Sequence, residues 1–226
     1  MKLDEFNLNN YQLSQFQKYY EYLVQENKKY NLTSIVEKEE VYIKHFYDSL
    51  KMIDIINFNK INSLCDIGSG AGFPSIPLKI MYPHLKLTII EPTTKKINFL
   101  KQLTEILELN DIELINGRAE EEIINKRESY DLVTARAVAS LPILLELTIP
   151  FVKVEGSFIA LKGSSYQEEL DISNTAMDKL DCKLIDSLIY ELPNNYGTRA
   201  ILNIYKVQPT KHIYPRSYAA IKKKHL

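Results

Sequence analysis

Residues 65–80 read CDIGSGAGFPSIPLKI, and the meaning of this stretch settles the fold. Three of the chain's seven glycines, Gly68, Gly70 and Gly72, fall within five residues of it. Glycine loses more conformational freedom on ordering than any other residue, so a cluster marks a backbone that bends tightly or is closely approached. The apolar run NSLCDIG leading into it predicts a buried strand. PSIPLKIMYP after it predicts a helix, with Pro77 tolerable in the first turn. A strand, a glycine loop and a helix in that order open a nucleotide-binding α/β sheet. Ligands of such sheets sit outside the carboxyl ends of the strands, where strand order reverses.

The pattern continues outward. KLTIIE, IELI, YDLVTARA and GSFIALKG read as further strands. TKKINFLKQLTEILEL, AEEEIINK, SLPILLELTIPFV and the polar SYQEELDISNTAMDKL between and after them read as helices. Alternating strands and helices imply a parallel sheet covered on both faces. The last two runs, CKLIDSLIYEL and RAILNIYKV, are joined only by PNNYGT and form an antiparallel hairpin at one edge. The fold class is therefore α/β, with a seven-stranded, mostly parallel sheet. Upstream, Leu13, Phe16, Tyr20 and Leu23 make one helical stripe. Val41, Phe46, Leu50, Ile53 and Ile56 make another, Asn31 reads as a helix cap, and no Gly or Pro precedes Gly68. The expected organisation is a helical extension over 1–60, a sheet domain over 61–208 and a basic tail over 209–226.

With 226 residues, 45% apolar and 25% charged, the composition is that of a globular protein with a sizeable core. Cys65 and Cys182 lie far apart in strand-like runs, so they read as buried thiols, and no metal spacing is present. The polar N-terminus does not resemble a signal peptide. The longest apolar run holds Glu146 and two prolines and is short for a membrane span, so a cytoplasmic location and no membrane partner are expected. The net charge of −1 is uneven: residues 206–226 carry six Lys or Arg and no acid, leaving the other 205 residues at −7. Such asymmetry suggests an anionic partner; the competing reading is a solvated terminus.

The glycine loop narrows the ligand. A dinucleotide fingerprint needs a third glycine at position 73, which is Phe73, and no Gly-Lys-Ser/Thr follows as in a P-loop. The spacing is G-x-G-x-G with Asp66 two residues ahead. Glu91 ends the second strand, where a carboxylate accepts from ribose hydroxyls. Ala119 and Glu120 of NGRAEE follow the third strand and are placed to meet an adenine. The ordered set, D-x-G-x-G-x-G, then Glu91, then YDLV, resembles the class I S-adenosylmethionine-dependent methyltransferases, whose seven-stranded sheet ends in the same hairpin.

The subclass follows from the nucleophile. Amide and exocyclic-amine methylation go with an Asn/Asp-Pro-Pro-aromatic loop after the fourth strand, and TARAVASLP lacks it. Cytosine C5 chemistry needs a loop cysteine, and both cysteines lie in strands. A free lone pair remains, as on guanine N7. The strings YNLTSIVEKEEVYIKHFYDSL, DIGSGAGFPSIPLKI, EPTTKKINFLKQL, NGRAEE, ARAVASLPILLEL, FIALKG and the late YPR together resemble the RsmG family, also called glucose-inhibited division protein B. The resemblance runs nearly end to end, though SYAAI replaces the prolines and glycine expected before the final lysines. It implies a monomeric guanine-N7 methyltransferase acting on 16S rRNA near the decoding centre, with cofactor contacts at Gly68, Phe73, Ala119, Glu120 and Arg136. Asp66, Gly70, Gly72 and Glu91 complete the expected cofactor set. Arg136, just past a strand, is expected to grip the cofactor carboxylate, an RNA phosphate or guanine O6. Lys162 is placed similarly. His45, with Asp48 at i, i+3, is expected at the rim over the cofactor, and Lys211, Arg216, Lys222, Lys223 and Lys224 on RNA. Two rivals remain: a small-molecule methyltransferase, needing a deep apolar pocket and no basic tail, and a nucleotide-binding protein without catalysis.

Overall fold

A computed structural model gives the fold and describes residues 2–226. After a 3₁₀ turn at Lys2–Phe6 comes α1, Asn10–Tyr30. Its first turn is closed by a capping box between Asn9 and Gln12, and Asn31 ends it in the left-handed conformation. The buried face of α1 is Gln15, Phe16, Tyr19, Leu23 and Glu26, so the stripe lies beside the one expected: Tyr19 takes the inward place assigned to Tyr20. A continuous helical run follows, α2 at Lys38–Val41, a π-helical turn at Tyr42–Tyr47, α3 at Asp48–Leu50 and a 3₁₀ turn at Lys51–Asp54.

The sheet comprises β1 Ser63–Ile67, β2 Lys86–Ile90, β3 Ile112–Ile115, β4 Tyr130–Arg136, β5 Val152–Lys162, β6 Cys182–Glu191 and β7 Thr198–Lys206. Between them run α4 Ser75–Met81, α5 Thr94–Ile106, α6 Ala119–Glu122, α7 Leu141–Thr148, α8 Tyr166–Asp171 and α9 Asn174–Lys179. The polar helix expected after β5 is thus two short helices, broken at Ile172 and Ser173. The strand order is β3-β2-β1-β4-β5-β7-β6, parallel except where β7 joins β5 and β6. Strand order reverses between β1 and β4, which puts the glycine loop at the switch point.

Two cores follow from the period of two along each strand. Leu64, Leu132 and Ile159 point to one face, with α1, the 38–54 run, α4 and α5; Cys65, Val133 and Phe158 point to the other, with α7 and α9. The N-terminal helices have no separate core. Phe16, Tyr19 and Phe46 share one with Ile76 and Leu100 of the sheet domain.

The C-terminal segment also folds back. Its helix α10, Tyr218–Lys223, buries Ile221 completely, and Tyr214 is nearly as buried. Here the basic-tail expectation is corrected at two positions. Lys206 is fully buried and donates to Glu128, Ile149 O and Val152 O. Arg216 holds the fully buried Glu146 of α7 in a two-pronged pair, Nε to Oε1 at 2.8 Å and Nη2 to Oε2 at 2.6 Å. A buried carboxylate needs such a partner, and removing one half of a buried pair costs about 3–5 kcal/mol. Arg216→Ala is therefore expected to lower stability by roughly that much and to free the tail for proteolysis. A melting curve and a limited digest check this, and an unchanged melting temperature contradicts it.

Candidate active site

The three loop glycines take positive φ, and their surroundings differ. A Cβ on Gly68 would lie 2.6 Å from Val138 Cγ2, and one on Gly72 would lie 2.7 Å from Ile76 Cγ1 and 2.9 Å from the Tyr19 hydroxyl. Those glycines are demanded by the protein's own packing. A Cβ on Gly70 would meet nothing within 4 Å, so Gly70 borders open space. Glu91, 2% exposed, fixes the loop by accepting the Gly70 N–H at 3.1 Å and the Thr93 N–H at 3.0 Å.

Under the loop, Asp66 is fully buried and accepts the Ser75 N–H through Oδ2 at 3.3 Å. Burial raises its carboxyl to about 7, against the Ser75 N–H and Arg136, which lower it. Its Oδ1, with Ser69 Oγ and Ser75 Oγ, is among the few buried side-chain polar atoms that have no partner among the described residues. Buried polar groups are normally paired. Three such atoms around one glycine loop, with open space at Gly70, fit a polar nucleoside cofactor such as S-adenosylmethionine. Ala119 starts α6 and is buried; Glu120 pairs with Arg118 at 3.9 Å.

Phe73 is 4% exposed, and its ring stacks on both Tyr19 and His45, with centroids 5.3 and 4.4 Å away. Arg136 lies over the same ring at 5.0 Å. The Phe73 ring therefore builds the wall of the site, and its N–H is taken by Ser69 O at 3.0 Å. Tyr19 also donates its hydroxyl to Ala71 O inside the loop. The N-terminal helices thus form one side of the cradle. Tyr19 escaped the sequence reading because Tyr20, its neighbour, matched the apolar spacing better.

Arg136 ends β4 and is gripped by the 38–54 run. Nη1 donates to Lys44 O at 3.3 Å and Asp48 Oδ2 at 3.1 Å, and Nη2 meets His45 Nδ1 at 3.1 Å. A guanidinium has five donors. Its Nε–H and one Nη2–H have no partner among the described residues. Asp48 is buried and also accepts from the Tyr190 hydroxyl at 2.7 Å, with Arg199 Nε at 3.7 Å. His45 is pushed down to about 3 by burial and by Arg136, so it stays neutral, with Nδ1 accepting from Arg136 and Nε2 facing Thr33 Oγ1 at 3.0 Å. Asp48 was missed as a partner of Tyr190 and Arg199 because those two, paired across the β6–β7 hairpin, lie far from it in sequence, Tyr190 by 142 residues.

Lys162 is placed differently from the expectation. It is 8% exposed and donates to Ala139 O at 2.8 Å and Glu169 Oε2 at 2.7 Å, so it offers no free ammonium at the rim. Burial lowers its pKa, opposed by Glu169. Together Lys162 and Glu169 pin the loop after β4, and Val138 of that loop closes over Gly68. In the tail, Lys211, Lys222, Lys223 and Lys224 are exposed, whereas Arg216 is held by Glu146. Among the described residues no group of His, Cys, Asp and Glu is arranged to hold a metal ion, and no helix is long and apolar enough to cross a membrane.

Comparison with known proteins agrees with this geometry. A family model described as rRNA small subunit methyltransferase G matches residues 12–190. Proteins named ribosomal RNA small subunit methyltransferase G are similar along most of the chain. The one from Aster yellows witches'-broom phytoplasma is 51% identical over 88% of this chain and 94% of its own, and that of Bacillus subtilis is 48% identical over 91% and 87%. Among solved structures, M. jannaschii TYW2 in complex with AdoMet superposes with a TM-score of 0.59 at 18% identity, covering 77% of this chain and 80% of its own. The ribosomal protein L11 methylase of Lactobacillus delbrueckii subsp. bulgaricus gives 0.55 at 16% identity, over 73% and 79%. The sheet is that of the class I methyltransferases, and the chain belongs to the rRNA small subunit methyltransferase G family.

Proposed function

We propose that this protein, as a cytoplasmic monomer, transfers the methyl group of S-adenosylmethionine to N7 of a guanine in 16S rRNA near the decoding centre. The observation that carries the reading is family membership over nearly the whole chain, joined to a glycine loop whose one open Cβ position, Gly70, is at the expected cofactor cradle. When bound, S-adenosylmethionine supplies a methyl on a sulfonium, already activated for in-line displacement by a lone pair. The protein's task is then alignment and exclusion of water. Gly70 admits the cofactor, Glu91 holds the loop and stands where the ribose is expected, and Ala119 and Glu120 flank the adenine. N7 of guanine carries no proton, so no general base is required, in keeping with a His45 whose two ring nitrogens are already engaged. The free N–H groups of Arg136 are offered to guanine O6 or to the cofactor carboxylate.

Titration calorimetry with S-adenosylmethionine and with NAD, followed by transfer of labelled methyl to small-subunit particles lacking the modification, tests this reading. Binding of S-adenosylmethionine and label on N7 of one guanine are expected. Tighter binding of NAD, or label on another atom, rejects it.

The exposed tail lysines give a separate expectation. Each phosphate neutralised contributes roughly 0.7–0.9 to the slope of log affinity against log salt. Replacing Lys222, Lys223 and Lys224 together by Ala is expected to reduce the slope for rRNA by about 2 while cofactor affinity stays unchanged. Substitution is preferable to truncation, because Ile221 is buried and Lys224 O accepts from Arg216. Equal slopes for the two proteins assign the RNA surface to other residues.

A further inference from the structure

The cleft beside the glycine loop has a volume of about 380 Å³ and two carboxylates in its wall, Asp48 and Glu169. Asp48 is committed at both oxygens, to Tyr190 and Arg199 through Oδ1 and to Arg136 through Oδ2. Glu169 is not. Its Oε2 accepts the Leu141 N–H at 2.6 Å and the Lys162 ammonium at 2.7 Å, which fixes the carboxylate in place. Its Oε1 meets only the Ser165 hydroxyl, at the long distance of 3.5 Å. An ionised carboxylate has about four acceptor sites, so Oε1 has capacity to spare. The side chain is 21% exposed, against 7% for its partner Lys162. Lys162 is thus the more buried partner of the pair and Glu169 the more exposed, and both line the cleft.

A guanine that presents N7 to a methyl donor keeps N1–H and the N2 amine on its adjoining Watson–Crick edge. Those groups are donors, and the cations of the cleft cannot pair with them. Only an acceptor can, and a charged acceptor makes the stronger bond. Adenine in the same pose would face the carboxylate with the N1 lone pair. We infer that Glu169, through Oε1, accepts hydrogen bonds from the Watson–Crick edge of the target guanine and makes the cleft selective for that base. The inference rests on the guanine reading proposed above and adds the residue that distinguishes guanine from other purines.

The test pairs one substrate atom with one side chain. Small-subunit particles are reconstituted with ligated 16S rRNA carrying guanosine or inosine at the methylated position; inosine lacks the N2 amine. The wild-type protein is expected to lose about tenfold to a hundredfold in kcat/KM on inosine. Glu169→Gln keeps an oxygen for the Leu141 N–H and replaces the outer acceptor. It is expected to be slower on both particles and to treat them within about twofold of each other, the signature of a lost direct contact. A purely structural role would lower both rates and leave the guanosine-to-inosine ratio as in the wild type, which overturns the inference. Should Glu169→Gln fail to fold, Glu169→Asp keeps the charge beside Lys162 but withdraws the oxygen, and the same collapse of the ratio is expected. Wild-type protein that methylates inosine as fast as guanosine overturns the inference whatever the variants do. If the wild type modifies neither particle at N7, the guanine reading itself fails, and this inference with it.

Discussion

Gly70→Val is expected to abolish binding of S-adenosylmethionine while the protein remains folded. The loop residue sits at φ +62, where an L side chain costs roughly 1–2 kcal/mol. A domain of ordinary stability, about 5–15 kcal/mol, survives that loss. A Cβ there meets no atom within 4 Å, so no packing clash of the kind found at Gly68 or Gly72 awaits it. The valine would therefore fill the open space proposed above for the cofactor. Gly72→Ala is the contrasting control: its Cβ would collide with Ile76 and the Tyr19 hydroxyl, so it should lower the melting temperature. Calorimetry and thermal melts on both variants separate the two effects. Unchanged cofactor affinity in Gly70→Val contradicts the assignment of this loop.

Arg136→Ala carries the second large effect. Losing a donor to the reacting edge, the role proposed for Arg136, typically costs about 10²–10³ in rate. The structure adds a stability cost. Asp48 is buried, and Arg136 is its nearest cation, so removing it leaves a carboxylate held by Tyr190 and a more distant Arg199. A loss of about 3 kcal/mol is expected. Arg136→Lys separates the roles, because an ammonium still neutralises Asp48 but cannot reproduce the planar fork. It should recover most of the stability and little of the single-turnover rate. A lysine variant with full rate would show that Arg136 serves the fold alone.

The features legible in the sequence were the local ones. The glycine loop, the strands with their period of two and the hairpin at the edge announce themselves within windows of about ten residues. The site was legible only as far as loops carry it. Gly70 and Glu91 lie where the pattern placed them, at the ends of β1 and β2. The pairing of charges was not legible. Asp48 meets Arg136 across 88 residues and Tyr190 across 142, and Glu146 meets Arg216 across 70. No local periodicity encodes which acid neutralises which base, so Arg216 read as a free cation and Lys162 as a rim ammonium. The same limit hid Tyr19, whose role depends on a loop 52 residues away. The tail lysines at 222–224 remain exposed, as a run of like charge at a helix end should, while the residues just ahead of them turned inward to cover α7.

The proposed methylation of guanine N7 in 16S rRNA is read out by mapping 7-methylguanosine in 16S rRNA from cells lacking this protein. The expected result is loss of a single 7-methylguanosine, restored by the wild-type chain and not by Gly70→Val or Arg136→Ala. An identical 7-methylguanosine map with and without the protein would rule that methylation out.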